Sequence, residues 1–173
     1  METTLEILKY ILPAVVVFVG VYFILQNFFE NESKKQQVLL KSKTQNLVTP
    51  IRLQAYERIV LFLERISLEN IVMRSYQGGK TAKMLQSSLL KSIREEYEHN
   101  LSQQVYVSNK TWAMVKAAKE ETIKNINYAA EQVGEDASAM DLSKLILELS
   151  AKVEKLPTDV AIEAVKREIS FSF

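Results

Sequence analysis

The chain has 173 residues, no cysteine and a single histidine, and its formal net charge is +1. The absence of cysteine excludes a disulfide framework and thiolate chemistry, and the balanced charge gives nucleic acid no continuous basic surface to bind. Four glycines and three prolines are few for this length and point to long, uninterrupted helices.

The run Tyr10–Phe29, YILPAVVVFVGVYFILQNFF, carries no charged side chain. A helix of about 20 apolar residues crosses a hydrocarbon core of about 30 Å. The sequence therefore predicts a transmembrane anchor over residues 1–29, touching membrane lipid through Tyr10–Phe29, with Pro13 near its outer end where a missing N–H costs least. A cleaved signal peptide fits poorly. Glu2 and Glu6 oppose Lys9 at the start, and QNFFENES has no A-x-A cleavage pattern. Lys34, Lys35, Lys41, Lys43 and Arg52 outnumber Lys9, which predicts the N-terminus outside and a cytoplasmic C-terminal domain.

Residues 30–48 read as a polar helical neck, without the sustained heptads of a coiled coil. Thr49-Pro50 reads as the N-cap and first residue of a new helix. Ile51, Ala55, Ile59, Phe62 and Ile66 form its apolar stripe. Ile71–Lys80 reads as irregular and ends in Gly78-Gly79. Thr81 caps the next helix, striped by Ala82, Leu85, Leu89, Ile93, Tyr97 and Leu101. Gln103–Asn109 reads as a connector whose Ser108 or Asn109 caps a helix running from Trp112 to Gly134. Ser138 and Asp141 form a capping pattern before Leu142, Leu145, Ile146, Leu149, Val153 and Leu156. Pro157 opens a last helix with Asp159 in its first turn and Ala161, Val165 and Ile169 on its buried side. The expected fold class is all-α: one N-terminal transmembrane helix, then a cytoplasmic bundle of about five helices over residues 49–173.

Gly79-Lys80-Thr81 matches the end of a phosphate loop. Arg74 stands where the motif needs its first glycine, however, and no buried strand precedes it. The segment reads as a Gly-Gly turn feeding a capped helix. Glu96 to His99 gives Glu-x-x-His, but a di-metal bundle site needs two such motifs and His99 is the sole histidine. No catalytic residue, cofactor or metal ligand is assigned. Lys110, Lys116, Lys119 and Lys124 are interrupted by Glu120 and Glu121, which argues against a nucleic-acid partner. Val105, Tyr106 and Val107 are hydrophobic within a polar connector and form the candidate partner contact, against the plainer reading that they cap the core.

LPAVVVFV, LVTPIRLQAYERIVLFLERI, IREEYEHNLSQQVYVS followed by Trp112, and DLSKLILEL together resemble an uncharacterised family of small single-pass membrane proteins from Bacteroidota, along essentially the whole chain. The resemblance implies a bacterial inner-membrane setting and brings no assigned activity or site residue with it. The expected function is a membrane-tethered helical protein-interaction module, an accessory or scaffold subunit of a membrane complex. Its partner would be a membrane or cytoplasmic protein, and a homo-oligomer is compatible with this reading. The alternative is an enzyme with an unrecognised helical site, which the lack of His, Cys and Gly-rich machinery disfavours.

Overall fold

The computed structural model describes the backbone of residues 2–134 and 136–172, and the side chains of these except 2–14, 33, 37–38, 40–46 and 172. Among the described residues the chain is all-helical, with six α-helices, one 3₁₀ helix and no strand. The helices are α1 (Glu2–Ile66), α2 (Leu68–Ser75), α3 (Ala82–Asn100), a 3₁₀ helix (Leu101–Val105), α4 (Asn109–Val133), α5 (Ala139–Ala151) and α6 (Pro157–Ser172). The chain divides into two compact units, Met1–Thr49 and Pro50–Phe173.

The first unit overturns the anchor. Among the described residues no helix is long and apolar enough to cross a membrane. The described apolar side chains run from Val15 to Phe29 and are exposed. Glu30 and Glu32 follow at once. The side chains of Tyr10–Ala14, which completed the expected span, lie outside those described, as do those of Lys41 and Lys43. The expected transmembrane helix, the lipid contact through Tyr10–Phe29 and the inner-membrane placement with a cytoplasmic domain are therefore corrected.

Helix α1 does not restart at Thr49-Pro50 as its sequence suggests, but runs through to Ile66. Proline's fixed φ suits a helix, and the loss is one backbone hydrogen bond and a crowded carbonyl four residues earlier. The division between the two units falls at this weak point.

In the second unit, Ala55, Tyr56, Ile59, Phe62, Leu63 and Ile66 of α1 are fully buried, while Ile51, expected on the same stripe, is half-exposed. The stretch read as irregular, Ile71–Lys80, overlaps the later part of α2, Leu68–Ser75. Its Leu68, Ile71 and Val72, spaced to share one helical face, are buried. The core continues through Leu85, Leu89 and Ile93 of α3, Val115 and Ile126 of α4, Leu142 and Ile146 of α5, and Val165 of α6. Helix α4 packs along α6 and also touches α3 and α5. Tyr97 stacks on Trp112 with ring centroids 5.8 Å apart, and Lys119 Nζ sits 4.2 Å from the Tyr97 ring centre.

The helix ends follow local chemistry. Thr81 Oγ1 accepts from the Met84 N–H at 3.3 Å. Ser108 Oγ accepts from the Thr111 N–H at 3.2 Å. Ser138 and Asp141 form a complete capping box. Gly134 ends α4 at φ +80°, where a side chain would be strained. The caps of α3 and α5 are tied side by side, because the Ala82 N–H donates to the Ala137 carbonyl and the Ala139 N–H to the Lys80 carbonyl. Helix α5 stops at Ala151, so Val153 falls in the next turn and is exposed.

Candidate functional site

The connector after α3 is tighter than its sequence suggests. Helix α3 winds into the 3₁₀ helix, and the Tyr106 N–H donates back to the Gln103 carbonyl at 3.0 Å. The three residues singled out by their hydrophobicity straddle the end of the 3₁₀ helix: Val105 closes it, Tyr106 caps it and Val107 lies beyond it. Val105 is 77% exposed and Tyr106 40%, while Val107 is only 9% exposed and packs into the core.

Val105 and Tyr106 line a groove of about 380 Å³ against the start of the second unit's share of α1. Ile51, Gln54, Ala55 and Arg58 form the α1 wall, and Ser102 and Gln103 complete the other. Arg52 Nε donates to the Tyr106 carbonyl at 3.3 Å and fixes the backbone at the rim.

Behind this rim lies a closed polar network. Arg52 Nη2 donates to Tyr56 Oη at 2.9 Å, and Tyr56 Oη donates to Glu168 Oε1 at 2.9 Å. Glu168 also accepts from the Ser108 N–H at 2.8 Å and from Ser108 Oγ at 2.6 Å. Burial pushes the Glu168 carboxyl upward. Hydrogen bonds from the Ser108 and Thr111 side chains, the Ser108 N–H and Tyr56 outweigh it and hold the group below its ordinary range. The carboxylate sits at the N-terminus of α4, which also favours negative charge. The network joins α1, the start of α4 and α6.

A second hollow, of about 560 Å³, lies between α1, α2 and α3. Arg58, Leu61, Phe62 and Arg65 supply one wall and Ser92, Glu95, Glu96 and His99 the other, each set on a single helical face. Arg74 and Ser75 close it from the end of α2. Arg65 Nη1 lies 3.1 Å and 3.2 Å from the two Glu96 carboxylate oxygens. Arg74 Nη1 is 3.7 Å from Glu96 Oε1, and its Nη2 donates to the Arg65 carbonyl at 3.0 Å. His99 Nδ1 lies 2.8 Å from the Glu95 carbonyl. That oxygen can only accept, so Nδ1 carries the proton. Arg58 lines both hollows.

The other candidates are placed plainly. Gly79 has φ +82° and leads into the Thr81 cap, so the Gly-Gly-Lys-Thr segment is a turn before a helix. Among the described residues no strand precedes it. Glu96 of the Glu-x-x-His pattern faces arginines, and among the described residues no group of three or more His, Cys, Asp or Glu could hold a metal ion. Sequence reasoning missed Arg58, Arg65 and Arg74. The seven-residue spacing of Arg58 and Arg65 on α1 was a usable signal, but Arg74 lay in the stretch read as irregular.

A comparison with curated proteins and with solved structures finds none similar to this chain. The model of a family of unknown function, DUF7935, matches residues 2–171, and the chain belongs to that family.

Proposed function

We propose that the second unit is a helical protein-interaction module, an accessory or scaffold subunit that works by holding a partner protein. The observation that carries this reading is the exposure of Val105 and Tyr106 beside half-exposed Ile51 in one concave groove. Tyrosine and arginine are the side chains most enriched where binding energy concentrates, and the groove has both in Tyr106 and Arg58. The hydrogen bond from Arg52 to the Tyr106 carbonyl holds the rim in place before any partner arrives, which lowers the entropy lost on binding.

Tyr106→Ala and Val105→Asp test it in the tagged full-length protein. Both side chains point outward, so melting temperature should move by no more than about 2–4 °C. Recovery of a specific co-purifying protein, confirmed with that protein purified, should fall strongly in both variants. Unchanged recovery in both would contradict the proposal, and a large drop in melting temperature for Tyr106→Ala would assign its ring to the core.

A further inference from the structure

We propose that the arginine-lined cleft between α1, α2 and α3 is a carboxylate-binding site, and that it receives acidic side chains of a partner segment whose apolar residue sits against Val105 and Tyr106. The identity of the ligand as part of a protein rests on the interaction reading above. The anion site itself stands on the cleft's own geometry.

Three guanidiniums line the cleft against two carboxylates. Glu95 is drawn along its own helix toward Lys91, 3.7 Å away. Glu96 is left to face the arginines. Arg65 offers it a single terminal nitrogen, not the two-pronged fork that makes a saturated arginine–carboxylate pair. Its Nη2 and Nε make no hydrogen bond among the described residues. Arg74 reaches Glu96 only at 3.7 Å, beyond hydrogen-bond length, and spends its Nη2 on a backbone carbonyl. Arg58 has no hydrogen-bond or ion-pair partner among the described residues. The cleft therefore holds more directed N–H donors than its own carboxylates occupy. Its floor includes buried Phe62, and an apolar wall strengthens the field above it.

The excess suits a carboxylate. Glu96 already neutralises part of the charge, and a phosphate dianion would meet its oxygens as well. Arg58 and Arg65 stand two helical turns apart, about 10 Å along α1, which three extended residues span. A segment crossing Arg58 thus sets an apolar side chain in the groove and acidic ones over Arg65 and Arg74.

The test titrates full-length protein with short synthetic peptides. The parent carries Leu followed by Glu-Asp-Glu; others replace the acids by Gln-Asn-Gln, the leucine by Ser, or the acids by phosphoserine. The parent should bind about tenfold or more tighter than the amide peptide and weaken steeply with added salt. Arg58→Gln and Arg65→Gln should each remove most of that difference while the circular dichroism stays unchanged. Equal binding of parent and amide peptides, indifference to both arginine variants, or no binding of the parent overturns the carboxylate site. Binding of the phosphoserine peptide alone overturns it in favour of phosphate. If the acids matter but neither the leucine nor Tyr106→Ala does, the cleft stands and the groove reading falls. If no peptide binds while Tyr106→Ala still loses its partner, the reverse holds.

Discussion

Glu168 and Glu96 are both partly buried glutamates that accept hydrogen bonds from other helices, yet their surroundings have opposite consequences. Around Glu168 the carboxylate itself is saturated: Tyr56 donates to it, Ser108 donates to it twice, and Arg52 reaches it only through Tyr56. Around Glu96 the donors exceed the acceptors, with Arg65 half-used, Arg74 distant and Arg58 unengaged. A satisfied network fixes helices to one another. A network with donors left over in a concave site is poised for something else.

Four substitutions sharpen that contrast. Phe62→Ala removes the floor beneath the arginine cleft and should cost about 3–5 kcal/mol in denaturant unfolding, the range for truncating a buried aromatic. Its effect exceeds any made at the surface because the ring is fully buried. Glu168→Ala strands the Ser108 and Tyr56 donors and should cost about 2 kcal/mol, since hydrogen bonds to charged groups are the stronger kind. A cost below about 0.5 kcal/mol would show that water replaces the carboxylate freely.

Glu168→Gln keeps most of the shape and removes the charge, which gives the third test a pH axis. The folded carboxyl titrates below its ordinary value. Its stabilisation is therefore fully present above the unfolded glutamate pKa of about 4.3 and is lost as pH falls through the lower folded value. The stability gap between wild type and Glu168→Gln should be constant near neutrality and close in acid. Asp141 and Glu163, whose carboxyls are also held low, are present in both proteins and cancel in that difference. A gap that widens in acid would contradict the assignment. The smallest effect on stability belongs to Arg58→Gln, expected within about 0.5 kcal/mol of wild type because the side chain anchors nothing.

The sequence was most readable where structure is local. Thr81, Ser108, the Ser138–Asp141 pair, Gly134 and Pro157 mark helix ends because each acts on backbone groups within three or four residues. Legibility failed where distant parts decide. Helix α2 is eight residues long and is held by the burial of Leu68, Ile71 and Val72, not by its own propensity. Thr49-Pro50 has every local mark of a helix start, yet α1 continues through it. Val105, Tyr106 and Val107 are adjacent in sequence but not in burial: Val105 ends the 3₁₀ helix exposed, while Val107, beyond its cap, packs into the core. Glu96 invited a metal reading through its spacing from His99, while its partners Arg65 and Arg74 lie on other helices. The letters of Tyr10–Phe29 suggest a membrane span, but among the described residues no helix is long and apolar enough to be one.

Site-specific photo-crosslinking from position 105 in the full-length protein tests the central claim most directly, with a photoreactive phenylalanine in place of Val105 and, as a control, in place of exposed Tyr128 on α4. The account predicts a discrete adduct to a separate protein from position 105, absent from position 128 and lost when Tyr106→Ala is added. No adduct from position 105, or the same adduct from both positions, would contradict it.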